Sequence, residues 1–201
     1  MTDLRRDTPD ALQRYTLKVF AEPATALSPR AIIPVFHQWI QEGAVDGLLI
    51  DVADYTHLPN GPSALLVGHE GNYAIDGGNG RPGLSYSRKR QSDGTLTERL
   101  TSGGRTLLKA ACLLETNAAS LPNRGFTFRG NEIAFRANDR LVAPNTSETA
   151  SALRDALHLF GSRIFGGAPI EVIPGNDGDH VGFTIRTADA APLDQLLDNL
   201  R

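Results

Sequence analysis

The sequence predicts an α+β protein of mixed α/β character, with helices mainly on one face of its sheet or sheets. Its local logic is ferredoxin-like. Three observations lead there. Short runs rich in β-formers alternate with longer segments of helical period. The predicted order of elements contains a β-α-β-β-α core twice, although residue identities do not repeat, so the duplication is one of pattern. The 201 residues are 40% hydrophobic and 21% charged, the balance of a chain that buries a core. The expected organisation is a polar N-terminal arm over 1–14, a first half over 15–120 and a second half over 121–201. The boundary falls on the connector holding Pro122.

Each element has its own signal. Residues 15–21 (YTLKVFA) alternate and read as a strand. Ser28-Pro29 marks a helix start, and Ile32, Phe36, Trp39 and Ile40 share one face as far as Gly43. Pro34 sits late for a helix interior, although the first turn absorbs part of that cost. Residues 48–55 (LLIDVADY) open on a continuous apolar run, the pattern of a strand covered on both faces and therefore interior to the sheet. With the preceding strand and helix this predicts a parallel βαβ unit. After a turn at 59–62, residues 64–75 read as one long strand interrupted by Gly68 and Gly71. A glycine-rich loop over 76–83 leads to a strand at 84–90, expected as its hairpin partner.

Thr95 and Glu98 have capping-box spacing, and the main helix is expected over 105–117 after Gly103-Gly104, with Leu107, Ala111 and Leu114 buried. Phe126–Phe128 and residues 133–137 flank Gly130-Asn131, a hairpin signal. Asn145 or Ser147 is expected to cap a helix over 148–165 whose stripe is Leu153, Leu157, Phe160 and Ile164. Strands at 170–173 and 181–187 surround a turn at 175–179, and Leu193, Leu196, Leu197 and Leu200 line a final helix.

Composition and missing motifs exclude several functions. Twenty basic against 23 acidic residues argue against a protein built to hold nucleic acid. The clusters Arg88-Lys89-Arg90 and Arg124, Arg129, Arg136, Arg140 read as strand-edge guards, with Phe126, Phe128 and Phe135 turned inward. Without a long apolar run or a secretory pattern, the expectation is a cytoplasmic protein with no membrane span. Asn145-Thr146-Ser147 then reads as a capping turn rather than a glycosylation acceptor. Residues 78–83 match G-x-G-x-x-G, but a strand follows and Pro82 removes a donor, so the segment is a loop and not a dinucleotide site. In His69-Glu70-Gly71-Asn72-Tyr73 a tyrosine stands where a zinc protease has its second histidine. Cys112, the single cysteine, lies on an apolar helix side and reads as a structural thiol. No motif identifies a cofactor or a catalytic set.

Candidate binding residues concentrate between Asp51 and Tyr73. Asp51 interrupts an apolar run, and a buried carboxylate must be paired or face a ligand. Asp51, Asp54, His57, His69 and Tyr73, with Glu70 beside them, are therefore the predicted ligand site, and Asp51, His57 and His69 the candidate metal ligands of mixed N/O type. On one continuous strand His69 and Tyr73 would share a face. His37 falls at the boundary of its helix's apolar face and reads as a residue bonded to a carbonyl. A second candidate, for an anion, is Gly103, Gly104 and Arg105 at the expected helix start. The function these readings support is binding of a small polar or metal-containing ligand near the strands carrying Asp51 and His69. The alternative is a non-catalytic interaction or assembly protein, a homo-oligomer using edge strands and the C-terminal amphipathic helix.

Overall fold

A computed structural model describes residues 9–58, 62–118 and 125–201. In chain order its elements are β1 (Tyr15–Glu22), α1 (Pro29–Glu42), β2 (Leu49–Asp54), β3 (Pro62–Gly68), β4 (Gly71–Asp76), β5 (Gly83–Arg88), α2 (Leu96–Ala118), β6 (Thr127–Phe128), β7 (Glu132–Ala137), α3 (Ser147–Ile164), β8 (Ile170–Asp177), β9 (His180–Thr187) and α4 (Leu193–Asn199). The nine strands form one sheet of order β2-β3-β4-β5-β1-β7-β9-β8, with β6 also on β1. All pairings are antiparallel.

The ferredoxin-like logic is direct in the second half and expanded in the first. β7 and β8 run in the same direction with β9 between them, joined by the crossover α3. β1 and β2 also run in the same direction, joined by α1, but β3, β4 and β5 lie between them. The parallel direction expected of the βαβ unit holds, but the interior position expected for residues 48–55 is corrected: β2 is an edge strand. Its apolar run does not mark an interior position, because Leu48 and Ile50 are 67% and 56% exposed. The halves join through β1, which pairs with β5 on one side and β7 on the other. The proposed boundary, residues 120–124, lies outside the described residues.

Strand register separates the two faces. Tyr15, Leu17 and Val19 point to the helices, as do Tyr73, Tyr86, Phe135 and Phe183 on neighbouring strands. Trp39 of α1 meets Tyr73 edge-on with ring centroids 6.5 Å apart, and Arg154 of α3 stands over Phe183. α2 spans the middle, and α4 packs on it through buried Leu193, Leu196 and Leu200. The final helix therefore covers its own chain's core.

Four local readings are corrected. The expected strand over 64–75 is a hairpin, β3 and β4, turning at His69-Glu70. β6 and β7 do not pair with each other; both lie along β1, and Arg129 N–H donates to Phe20 C=O between them. α2 begins at Leu96, where the capping box does form: Thr95 N–H donates to Glu98 Oε2 at 2.7 Å and Glu98 N–H to Thr95 Oγ1 at 3.3 Å. Gly103 and Gly104 are consequently inside the helix. A Cβ at Gly103 would lie 2.5 Å from the Tyr15 hydroxyl, which donates to Arg99 C=O, so glycine there admits the tyrosine. Lastly, the cap of α3 is Thr146, whose side chain accepts from Thr149 N–H. The described end of the N-terminal arm is docked on α2. Asp10 accepts from Leu96 N–H, and buried Arg99 donates to the carbonyls of Asp10 and Leu12.

The two outer edges are finished differently. On β8 the groups facing away from β9 include residues 172 and 174. Pro174 has no N–H, and Arg154 donates to Val172 C=O at 2.9 Å. On β2 the Tyr55 N–H to Ser63 C=O bond sets the register, so Val52 and Asp54 direct their N–H and C=O groups outward. Asp51 Oδ1 accepts from Val52 N–H and Asp54 Oδ1 from Thr56 N–H, both at 2.8 Å.

Candidate functional site

The predicted cluster between Asp51 and Tyr73 does not converge. Asp51 is exposed on the edge and engaged by its own chain's amide, so the premise of a buried carboxylate is corrected. Asp54 is exposed too, and its bonds to Thr56 hold its carboxyl below the usual range. His57 lies in an exposed turn beside Tyr55. His69 sits at the hairpin turn, where Arg90 Nη2 lies 2.9 Å from its Nε2 and Glu70 Oε1 lies 3.1 Å from its Nδ1. Arginine can only donate, so Nε2 accepts, Nδ1 carries the proton, and both ring nitrogens are engaged. Tyr73 belongs to the core between Trp39 and Tyr86, and burial raises its phenol above the ordinary range. The space beside this hairpin is about 10 Å³. Among the described residues no three His, Cys, Asp or Glu side chains form a metal-binding group.

The anion candidate also dissolves. Gly103 and Gly104 have no free helix start, and Arg105 donates to Leu200 C=O, binding the last turn of α4 to α2. His37 is exposed on α1, and the 78–80 segment is a short 3-10 turn that precedes β5, with no helix after it. Cys112 is half-buried, and burial pushes its thiol up to about 11.

The helix-free face of the sheet holds a different site. In a flat sheet the middle of an uncovered face would be wet. Here Thr16, Lys18, Phe20 and Ser85 are all buried on that face. Two loops close over them from opposite sides: the 76–83 loop and the turn between β8 and β9. Between them is a hollow of about 520 Å³ at the junction of the halves.

Its floor comes from β1, β7, β8 and β9. Arg136 of β7 stands opposite Gly182 of β9, which stands opposite Gly175 of β8. The two glycines leave empty the space that side chains would fill. Arg136 is held from behind: its Nε donates to Asn138 Oδ1 at 3.2 Å, Asn138 Nδ2 donates to Thr16 Oγ1 at 2.8 Å, and Thr16 Oγ1 lies 2.7 Å from Ser87 Oγ. The terminal guanidinium nitrogens form no hydrogen bond or ion pair with the described residues.

The other charges are balanced. Lys18 Nζ lies 3.3 Å from Asp76, whose second oxygen accepts from Gly78 N–H and shapes the loop. Arg81 stacks on Phe20 at 3.7 Å and pairs with Glu132, forming the wall. Among the described residues the lining thus carries three cations and one carboxylate, and Arg136 is the cation with no carboxylate beside it. A guanidinium in that position can hold a carboxylate or phosphate in a two-point contact.

Residue-by-residue reading passed over this site, although Arg136 figured in it as a basic residue near a hairpin. Its only local signal is alternation along β1, where Thr16 and Lys18 interleave with Tyr15, Leu17 and Val19. No helix of the described residues is long and apolar enough to cross a membrane. Comparison of the chain with protein families, with curated proteins and with solved structures finds no match.

Proposed function

We propose that the protein binds a small anionic ligand, a carboxylate- or phosphate-bearing molecule, in the hollow on its helix-free face. The observation that carries this reading is Arg136, braced through Nε while its outer nitrogens meet no carboxylate of the described chain. A guanidinium facing a partly enclosed hollow with no carboxylate of the described residues beside it gives that hollow a positive potential that favours an anion. Gly175 and Gly182 make room beside the guanidinium, and Lys18 adds positive potential from the floor. The site of the expected polar ligand thereby moves from the Asp51–His69 hairpin to the junction of the halves. A single cysteine is consistent with the reducing cytoplasm as the setting.

The test is titration of the full chain with inorganic phosphate and with citrate, followed by thermal midpoint and by amide chemical shifts. Binding should raise the midpoint and shift the amides of residues 134–138 and 182–184. Arg136→Gln should weaken the response at least tenfold, and Gly175→Leu should fill the space and block it. Equal responses in wild type and both variants, or none in wild type, would overturn the reading.

A further inference from the structure

The surface of the described residues exposes six large apolar side chains, and four of them cluster at one place. Leu48, Ile50, Tyr55 and Leu58 lie on or just beside β2, whereas Leu141 and Leu159 are elsewhere. An edge strand is an open template for another strand, and natural edges are usually blunted by proline, lysine or a covering group. β8 has such protection. β2 has a register shift between Leu49 and Asp51, which leaves the strand beyond it regular, and Asp51 and Asp54, whose carboxylates fold along their own strand onto the N–H groups of Val52 and Thr56. These are side-chain latches, reversible by rotation. The outward carbonyls of Val52 and Asp54 and the outward N–H of Asp54 have no such cover among the described residues.

We propose that β2 pairs antiparallel with β2 of a second copy, Asp51 swinging aside as Val52 N–H is taken up. The second copy is favoured by the strand's own charge pattern. A two-fold register must bring outward groups together, and the one that engages Val52 and Asp54 of both protomers at once places Val52 of one opposite Asp54 of its partner and the reverse. Asp51 then faces Tyr55 of the other protomer, and Ala53 meets itself on the axis. No carboxylate stands opposite a carboxylate, which would oppose pairing. Four backbone hydrogen bonds form around the axis, and Leu48 and Ile50 flank it on both sides. The strand has only six residues, so the pair is weak and reversible.

Sedimentation of the full chain over a range of concentrations tests this. Wild type should show a reversible monomer–dimer equilibrium. Asp51→Ala, which frees Val52 N–H, should tighten it about tenfold. Val52→Pro removes an N–H that faces away from β3, so it should abolish the dimer without costing a bond inside the sheet. Ile50→Glu, on an exposed side chain, should do the same if proline disturbs folding. The register has its own readout. Residues directly opposite at a non-hydrogen-bonded site have Cα atoms about 4.5 Å apart, within disulfide range. Ala53→Cys in a Cys112→Ser background should therefore oxidise to a covalent dimer. A monomer in wild type and Asp51→Ala alike would overturn the proposal and leave the edge to a different strand. So would a dimer that survives both Val52→Pro and Ile50→Glu. Arg136→Gln should leave the equilibrium unchanged, separating this interface from the anion site.

Discussion

The two faces of one sheet have been put to opposite uses. On the helix side the strands present Tyr15, Leu17, Tyr73, Tyr86, Phe135 and Phe183, and four helices close over them. On the other side the same strands present Thr16, Lys18, Ser85, Ser87 and Arg136, and among the described residues two loops reach over. Both faces are shielded in the middle, but by different means: the first by packed hydrocarbon, the second by two loops and a polar network. Stability should therefore reside mainly on one face and recognition on the other.

The comparison breaks most directly at the aromatic residues. Phe135→Ala removes a ring set between Tyr15 and Phe183 and should cost about 3–5 kcal/mol in urea unfolding. Phe20 is also buried, but on the polar face under Arg81, and Phe20→Ala should cost no more than about half as much. Equal costs would mean that the hollow is a second core. A smaller effect separates two glycines. Gly103→Ala would drive a methyl against the Tyr15 hydroxyl and should cost about 1–3 kcal/mol. A Cβ at Gly175 would meet its nearest neighbour at 3.5 Å, an ordinary contact, so Gly175→Ala should stay within about 0.5 kcal/mol. The smallest effect is a titration where α2, the central helix, begins. Bonds from Thr95 hold the Glu98 carboxyl below its usual 4.5. A carboxyl lowered in the folded state adds stability above its unfolded value and loses it as pH falls through the folded one. A Glu98 NMR titration should show the lowered midpoint, and Thr95→Ala should move it back up.

Much of the element inventory was legible because it rests on local pattern. The stripe Leu153, Leu157, Phe160, Ile164 and the Thr95–Glu98 box each declare themselves within one or two turns. What failed depends on neighbours distant in sequence. The run Leu48-Leu49-Ile50 has the hydropathy of an interior strand, and only the order of nine strands shows that it is an edge. Gly103-Gly104 resembles a helix start until Tyr15 and Phe160 are seen filling the space that side chains would take. The 64–75 run hid a hairpin because its turn, His69-Glu70, carries none of the usual turn residues. The hollow was illegible for the same reason as the sheet order. It draws on β1, β7, β8, β9 and the 76–83 loop, and no two of its cationic side chains come from the same element.

Pro174 and the Arg154 contact on β8 bear on how far a strand-to-strand association could go. A protomer with two receptive borders would recruit neighbours without end and build a fibril. With one border blunted, the β2 pairing proposed above would use the receptive backbone of the other border at once, and such an assembly would be finite, symmetric and complete at two.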